Sequence, residues 1–408
     1  MNSSNSPLGL VAATCPVCRH SVASPFFDGG AQPLATLGWP ASASEATQMD
    51  RFALDYVQCP NCSHVWNRSF SYDAIPYADS PNRMYNKGGI WSGHLAQTRD
   101  LVLSKLPLNP TVVDIGCGEG HFVRGLSDAC NGKGRFVGFD PSATEETGLG
   151  IEFHATLFEP LTHIADVMPD AIVMRHVLEH LMDPTAFVEQ LAWGASTLEK
   201  PVYFFAEVPC IDRVFETDRL ADFFYEHPSQ FSSQSFAQLM SAAGEIVALE
   251  TGYDGEVVYA LVHLGVDHKR TAATGQSHSF LERSSANCER IRRQLDDLAS
   301  RGVSVAVWGG TGKAAAFMHQ FGVDAARFPL VVDSDPDKAG TFVPGTGQEI
   351  VYRDVLKTKP IETLIIPTQW RAKDIIAEMG REGIVADTIL IEHNGCLINF
   401  LKDDHPYR

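Results

Sequence analysis

No run of apolar residues in the chain approaches the length of a transmembrane helix. The first residues, Met1 to Pro7, lack the basic and then apolar pattern of a secretory leader, so the cytoplasm is the expected compartment. Positive charge is scarce: 32 Lys and Arg stand against 50 Asp and Glu, a formal net charge of −18. That balance argues against nucleic-acid partners, and any phosphate-bearing ligand must meet a local patch of donors. Internal repeats are missing too. Nine cysteines in 408 residues are too sparse for a disulfide scaffold, so the paired ones read as metal ligands.

What is present is ordinary for a globular protein, with 44% apolar and 20% charged residues. The length implies two or three domains. Two cysteine pairs, Cys15-Pro16-Val17-Cys18 and Cys59-Pro60-Asn61-Cys62, lie in a segment rich in Pro, Gly and Ser. Each knuckle turns two sulfurs to one side, and together they supply four thiolates to one structural zinc. Redox-active or merely buried thiols are the alternative. An aromatic connector, Phe70 to Tyr85, follows.

A buried strand pattern at Thr111–Gly116 opens an alternation of strands and helices that runs to about residue 265. Further strands are expected at Arg135–Asp140, Ala171–Arg175, Val202–Val208 and Glu256–Leu264, the rhythm of a doubly wound α/β sheet. A Ser/Thr/Gly-rich gap at 271–279 marks a boundary, and Phe280–Ser300 reads as a charged amphipathic helix. A second α/β series follows, with strands at Ser304–Trp308, Leu330–Asp333, Thr363–Pro367 and Thr388–Ile391. The expected domains are 1–80, a zinc ribbon with its connector; 81–270, a Rossmann-like domain; and 280–408, a second Rossmann-like domain.

The first glycine turn is Val113-Asp114-Ile115-Gly116-Cys117-Gly118-Glu119-Gly120, between a strand and a helix. Glycines let the backbone approach a ligand, and the helix start offers N–H groups. An acid directly before the glycines disfavours a pyrophosphate and favours an ammonium or sulfonium. Asp140, closing the next strand, can accept both hydroxyls of a ribose. This D-x-G-x-G-x-G turn with its second-strand acid resembles the S-adenosylmethionine site of class I methyltransferases, and the resemblance implies Asp114, Gly116, Gly118, Glu119 and Asp140 as cofactor ligands. Without a ligand, the same turn would be a plain α/β connection.

Three further segments carry candidate chemistry. Arg175-His176-Val177-Leu178-Glu179-His180 follows a strand; Arg175 and His176 fall on the cofactor rim, and His180 lies a turn further on. Phe224-Tyr225-Glu226-His227 sits where substrate-facing loops cluster, and an adjacent carboxylate can raise the basicity of a histidine. Trp308-Gly309-Gly310-Thr311-Gly312-Lys313-Ala314-Ala315, with Asp333 closing the next strand, satisfies the dinucleotide pattern. It fits NAD, a substrate phosphate held by Lys313, or no ligand at all.

Together these features resemble the sugar C-methyltransferase family, which methylates C3 of nucleotide-linked 4-keto-6-deoxy sugars. The resemblance covers nearly the whole chain and extends to Val331–Gly340 and Pro344-Gly345-Thr346. It implies a zinc domain, an S-adenosylmethionine domain and a C-terminal domain that holds the nucleotide. The family's catalytic segment E-H-x-x-Y-F-S stands here as Glu226-His227-Pro228-Ser229-Gln230-Phe231-Ser232. By that similarity His227 is the base and His180 assists. Tyr225, His180 or a water would stabilise the enolate, and Tyr77 of the connector would reach the substrate. Gly310, Gly312, Lys313 and Asp333 would contact the nucleotide. The family's Tyr-His before this segment is replaced by Phe224-Tyr225, and its later tyrosine by Gln230. A methyltransferase for another small acceptor, an NAD-binding bifunctional protein and a non-catalytic scaffold are the competing readings.

Overall fold

A computed structural model of the chain describes residues 9–37, 39–75, 88–148, 150–266 and 268–408. Tyr77 and most of the expected connector lie outside the described residues. The described chain divides into two compact units, 1–267 and 268–408.

The first unit begins with antiparallel strands β1 (Val11–Ala12), β2 (Val22–Gln32), β3 (Phe52–Gln58) and β4 (Val65–Asn67). Helix Gly89–Leu103 then leads into the central sheet. Its strands are β5 (Thr111–Ile115), β6 (Arg135–Phe139), β7 (Glu146–Gly148), β8 (Ile151–His154), β9 (Ala171–Arg175) and β10 (Tyr203–Pro209). Next comes β11 (Ser229–Gln230), which leaves the central sheet and pairs with β4, closing the N-terminal sheet in the order β1-β2-β3-β4-β11. Strands β12 (Gly244–Gly252) and β13 (Val257–Leu264) complete the central sheet as β12-β13-β10-β9-β5-β6-β8-β7. Strands β5, β6, β8, β9 and β10 are parallel, while β7, β12 and β13 add antiparallel edges.

The strands β5, β9 and β10 are almost wholly buried runs of Val, Ile, Phe and Ala, as a sheet covered on both faces requires. Helix Pro184–Ala195 starts where Asp183 caps the Ala186 N–H and Pro184 presets the first turn. Helix Ser233–Ala243 starts on a reciprocal cap between Ser232 and Ser235. One hydrophobic core joins the cysteine knuckles (Cys15, Cys59, Cys62) to Val113, Ile172 and Phe204 of the central sheet. The ribbon and the Rossmann-like domain, expected as separate modules, therefore share an interior.

The second unit opens with helix His268–Ser300. The gap expected at 271–279 is helical, and within it Ser277 Oγ returns a hydrogen bond to the Ala273 carbonyl at 3.2 Å. Small polar residues there mark a solvated face rather than a linker. Strands β14 (Val305–Trp308), β15 (Leu330–Asp333), β16 (Ile350–Tyr352), β17 (Ile361–Ile365), β18 (Ala386–His393) and β19 (Cys396–Asn399) form a sheet in the order β16-β15-β14-β17-β18-β19. All but β19 are parallel. Both larger sheets reverse their winding beside a glycine turn, at β5/β9 and at β14/β17, where ligands bind in such folds. Among the described residues, no helix is long and apolar enough to cross a membrane.

Candidate active site

At the carboxyl end of β5 the chain must turn sharply, and Gly116, Gly118 and Gly120 all have positive φ. A Cβ on Gly116 would come within 2.3 Å of Val177, so only glycine lets the turn close against the loop after β9. At Gly118 a Cβ would meet nothing within 4 Å, so the backbone there faces open space where a ligand can approach. Asp140, at the end of β6, accepts from the Gly118 N–H at 3.0 Å and, with its other oxygen, from Ser142 N and Oγ at 2.8 and 2.7 Å. Asp114 is buried, and burial first, then the Asp140 charge, push its carboxyl up to about 7 against the opposing pull of Arg175. A cationic ligand would relieve that pressure. The donor set thus fits S-adenosylmethionine: a carboxyl pair short of positive charge, an open glycine turn and an acid at the end of the second strand. Glu119 is exposed on the same turn, beside His121.

The loop after β9 carries Arg175 and His176, and both point to an acid that sequence reading missed. Glu207, fully buried on β10, accepts from Arg175 Nη2 at 2.6 Å and lies 2.5 Å from His94 Nε2 and 3.2 Å from His176 Nε2. Burial opposes its charge, but His176, His94 and Arg175 outweigh that and hold the carboxyl well below the usual range. Burial likewise opposes the His176 cation, yet Glu179 and Glu207 raise its pKa to about 9. The Arg175 guanidinium lies over the Phe122 and Trp91 rings at 4.7 and 5.2 Å. Arg175 and His176 are thus pinned within the wall of the site. A lone acid inside the apolar strand Tyr203–Pro209 was the available signal for Glu207.

His180 and His227, distant in sequence, meet edge to face with ring centroids 4.7 Å apart. His180 Nδ1 donates to the Glu226 carbonyl at 2.7 Å; because a carbonyl only accepts, that nitrogen carries the hydrogen. The Phe224 ring packs on His227 at 4.2 Å. Burial, with His180 and His176 adding to it and Glu179 opposing, drives the His227 pKa down to about 3, so the ring is neutral.

Two of the expected partners point elsewhere. Tyr225 is buried in the N-terminal core, its ring stacked on Phe52 and its hydroxyl accepting from Ser71 N at 2.9 Å. Alternation along the chain turns Phe224, not Tyr225, toward His227, so Tyr225 is unsuited to stabilise an enolate. Glu226 is fully buried, and its Oε1 accepts from Thr36 N at 2.7 Å, Thr36 Oγ1 at 3.1 Å and Leu37 N at 3.2 Å. Its carboxylate anchors a loop of the N-terminal module and faces away from the imidazole of its neighbour.

The four knuckle cysteines converge, with Sγ–Sγ distances of 3.6 Å for Cys15–Cys62 and 3.5 Å for Cys18–Cys59. Sulfurs about 2.3 Å from a tetrahedral ion lie about 3.8 Å apart, so these four fit zinc. In the second unit, Gly309, Gly310 and Gly312 form the turn after β14. A Cβ on Gly310 would strike Ile350 at 2.3 Å, and Gly312 has positive φ. Lys313 donates to Gln369 Oε1 at 2.5 Å and sits over the exposed Trp370 ring. Asp333 is buried, accepting from Asp335 N at 3.0 Å and pairing with Lys338 at 3.2 Å.

Two family models match the chain. Residues 92–247 match a methyltransferase domain, and residues 267–391 match a C-methyltransferase C-terminal domain. The protein is an S-adenosylmethionine-dependent methyltransferase. More particularly, it is one whose second unit is of the C-methyltransferase C-terminal type. No curated protein matches the sequence. Similar solved structures include the magnesium protoporphyrin IX methyltransferase ChlM from Synechocystis PCC 6803 with bound SAH, at 14% identity and a TM-score of 0.30 over 44% of this chain and 90% of that one. Another is the N-methyltransferase NodS from Bradyrhizobium japonicum WM9, at 16% identity and a TM-score of 0.31 over 45% of this chain and all of that one. Likeness at that level carries no argument about substrate.

Proposed function

We propose that the protein transfers a methyl group to a carbon beside a ketone, on a nucleotide-linked keto-deoxysugar. The observation that carries this reading is the meeting of His180 with a neutral, desolvated His227, together with the C-methyltransferase match in the second unit. A base must be unprotonated to act, and His227 is. It removes the proton from C3; the C–H electron pair moves into the enolate, and the proton resides on the imidazole. His180, hydrogen-bonded through Nδ1 to the Glu226 carbonyl, is held edge to face against His227 and fixes the orientation of that ring. S-adenosylmethionine, when bound, supplies an electrophilic methyl group that the enolate carbon takes up as the sulfur keeps the S–C electron pair. His227 then returns its proton to solvent.

The cofactor is proposed to lie on Asp114, Gly116, Gly118 and Asp140, with one structural zinc on Cys15, Cys18, Cys59 and Cys62. The nucleotide is proposed to sit on the Gly310–Gly312 turn of the second unit. Asp333 accepts from Asp335 N and pairs with Lys338, and it keeps acceptor capacity, so a titration with NADH decides the NAD alternative.

The test is solvent exchange. In heavy water, His227→Ala should lose deuterium incorporation at C3 by a factor of about 100 or more while retaining S-adenosylhomocysteine. Exchange that survives this change but vanishes in His180→Ala reverses the two roles. Absence of exchange with every keto-sugar tried on the unaltered protein leaves a methyltransferase for a different acceptor.

A further inference from the structure

A base as desolvated as His227 must still hold a positive charge for an instant, with the Phe224 ring on one side and cationic His176 nearby. The neighbouring acid in sequence is turned to other partners: Glu226 Oε1 accepts from Thr36 and Leu37, and its carboxylate is not in the cluster that Glu179 forms with the two rings. Another acid is in place. Glu179, on the short turn Leu178–His180, is 2% exposed, and among the described residues neither of its carboxylate oxygens has a hydrogen-bond partner. The nearest cation, His176 Nδ1, is 3.6 Å from Oε1, beyond hydrogen-bond range. The ligand atoms of Glu179, His180 and His227 all lie within 4.8 Å of one another. Burial would push the Glu179 carboxyl up, but the His176 cation beside it brings it below the ordinary range, so the charge stays.

We propose that Glu179 is the positioning carboxylate of the base: its charge steadies the imidazolium that forms on His227 when it takes the C3 proton. A buried acid with unsatisfied oxygens costs stability unless it serves something. Here the His227 imidazole, neutral at rest, carries positive charge only while it holds the substrate proton. The proposal rests on the reading of His227 as the base. Glu179 accepts no proton and breaks no bond.

Glu179→Gln keeps the shape and removes the charge, whereas Glu179→Asp keeps the charge on a shorter arm. Full-length zinc-loaded protein is incubated in heavy water with thymidine-diphosphate 4-keto-6-deoxyglucose, and C3 deuteration is followed by mass spectrometry. S-adenosylhomocysteine affinity is measured by calorimetry on the same samples. Glu179→Gln should slow exchange on the order of tenfold or more, Glu179→Asp should restore most of it, and affinity should stay within about twofold in both. Exchange at the unaltered rate in Glu179→Gln overturns the proposal. So does a parallel loss of exchange and affinity that Asp does not rescue, which would make the acid a packing element. Exchange stimulated by added manganese in the unaltered protein but not in Glu179→Gln would make the trio a metal site and also overturn it. If the unaltered protein exchanges no proton, the proposed base falls first and this inference with it. That result is distinct from a fast parent with an unaffected Gln variant.

Discussion

Asp114 is a carboxyl raised to about 7 by burial, and this makes cofactor binding pH-dependent in a predictable direction. Its folded pKa lies above the unfolded one, so its contribution to stability is full at low pH and is lost as pH rises through about 7. A cationic ligand prefers the ionised form, so affinity for S-adenosylmethionine should rise between pH 6 and 8, and binding at pH 6 should release a proton. Calorimetry in buffers of different ionisation enthalpy reads that proton directly. Asp114→Asn should abolish the release and weaken binding at pH 8 by roughly 1.5–3 kcal/mol, the value of a charge-assisted contact. An unchanged pH dependence in the variant would remove Asp114 from the cofactor site.

Among the elements, the N-terminal sheet reaches further into the chemistry than its sequence suggests. Reading the cysteine pairs alone, one expects zinc loss to damage only its own module. Instead, the Tyr56 hydroxyl on β3 is shared between the carbonyls of Phe224 and His227 at 2.8 and 3.0 Å, and β4 pairs with β11 just after His227. Thr185 also binds the carbonyls of Pro16 and Val17, tying the first knuckle to the helix after His180. Cys59→Ser should therefore lose zinc and C3 exchange together while S-adenosylhomocysteine still binds. Elemental analysis and calorimetry on one preparation decide it, and full exchange without zinc would refute the coupling. The same residues show what was legible. Strand runs such as Ala171–Arg175 and Leu330–Asp333 were readable because buried parallel strands are continuous apolar runs. The cysteine and glycine spacings were readable because a metal or a tight turn demands them. Which acid faces His227 was not, because side-chain direction in an irregular loop has no period: Glu226 is adjacent in sequence yet turned away, and Glu179 is 48 positions distant yet close.

For the whole molecule, composition suggested three modules and the chain forms two compact units, because β11 and a continuous core fuse the first two. The second unit repeats the winding of the central sheet, and its glycine turn alone leaves NAD and a nucleotide diphosphate equally open. Titration should show binding of thymidine diphosphate and none of NADH, with Lys313→Ala weakening the former; NADH binding with quenching of Trp308 or Trp370 fluorescence would reverse the assignment.

The strand order β1-β2-β3-β4-β11 also has a consequence for how the protein is made. A ribosome releases β4 well before β11, which follows about 160 residues later, and at 5–20 residues per second that is a delay of roughly ten to thirty seconds. Throughout it, the edge of β4 waits without its last strand, open to pairing with a neighbouring nascent chain. Early capture of zinc by the knuckles would hold that half-built sheet in register. A fragment ending at residue 80 would keep the edge exposed permanently, and it should aggregate even when metal is plentiful.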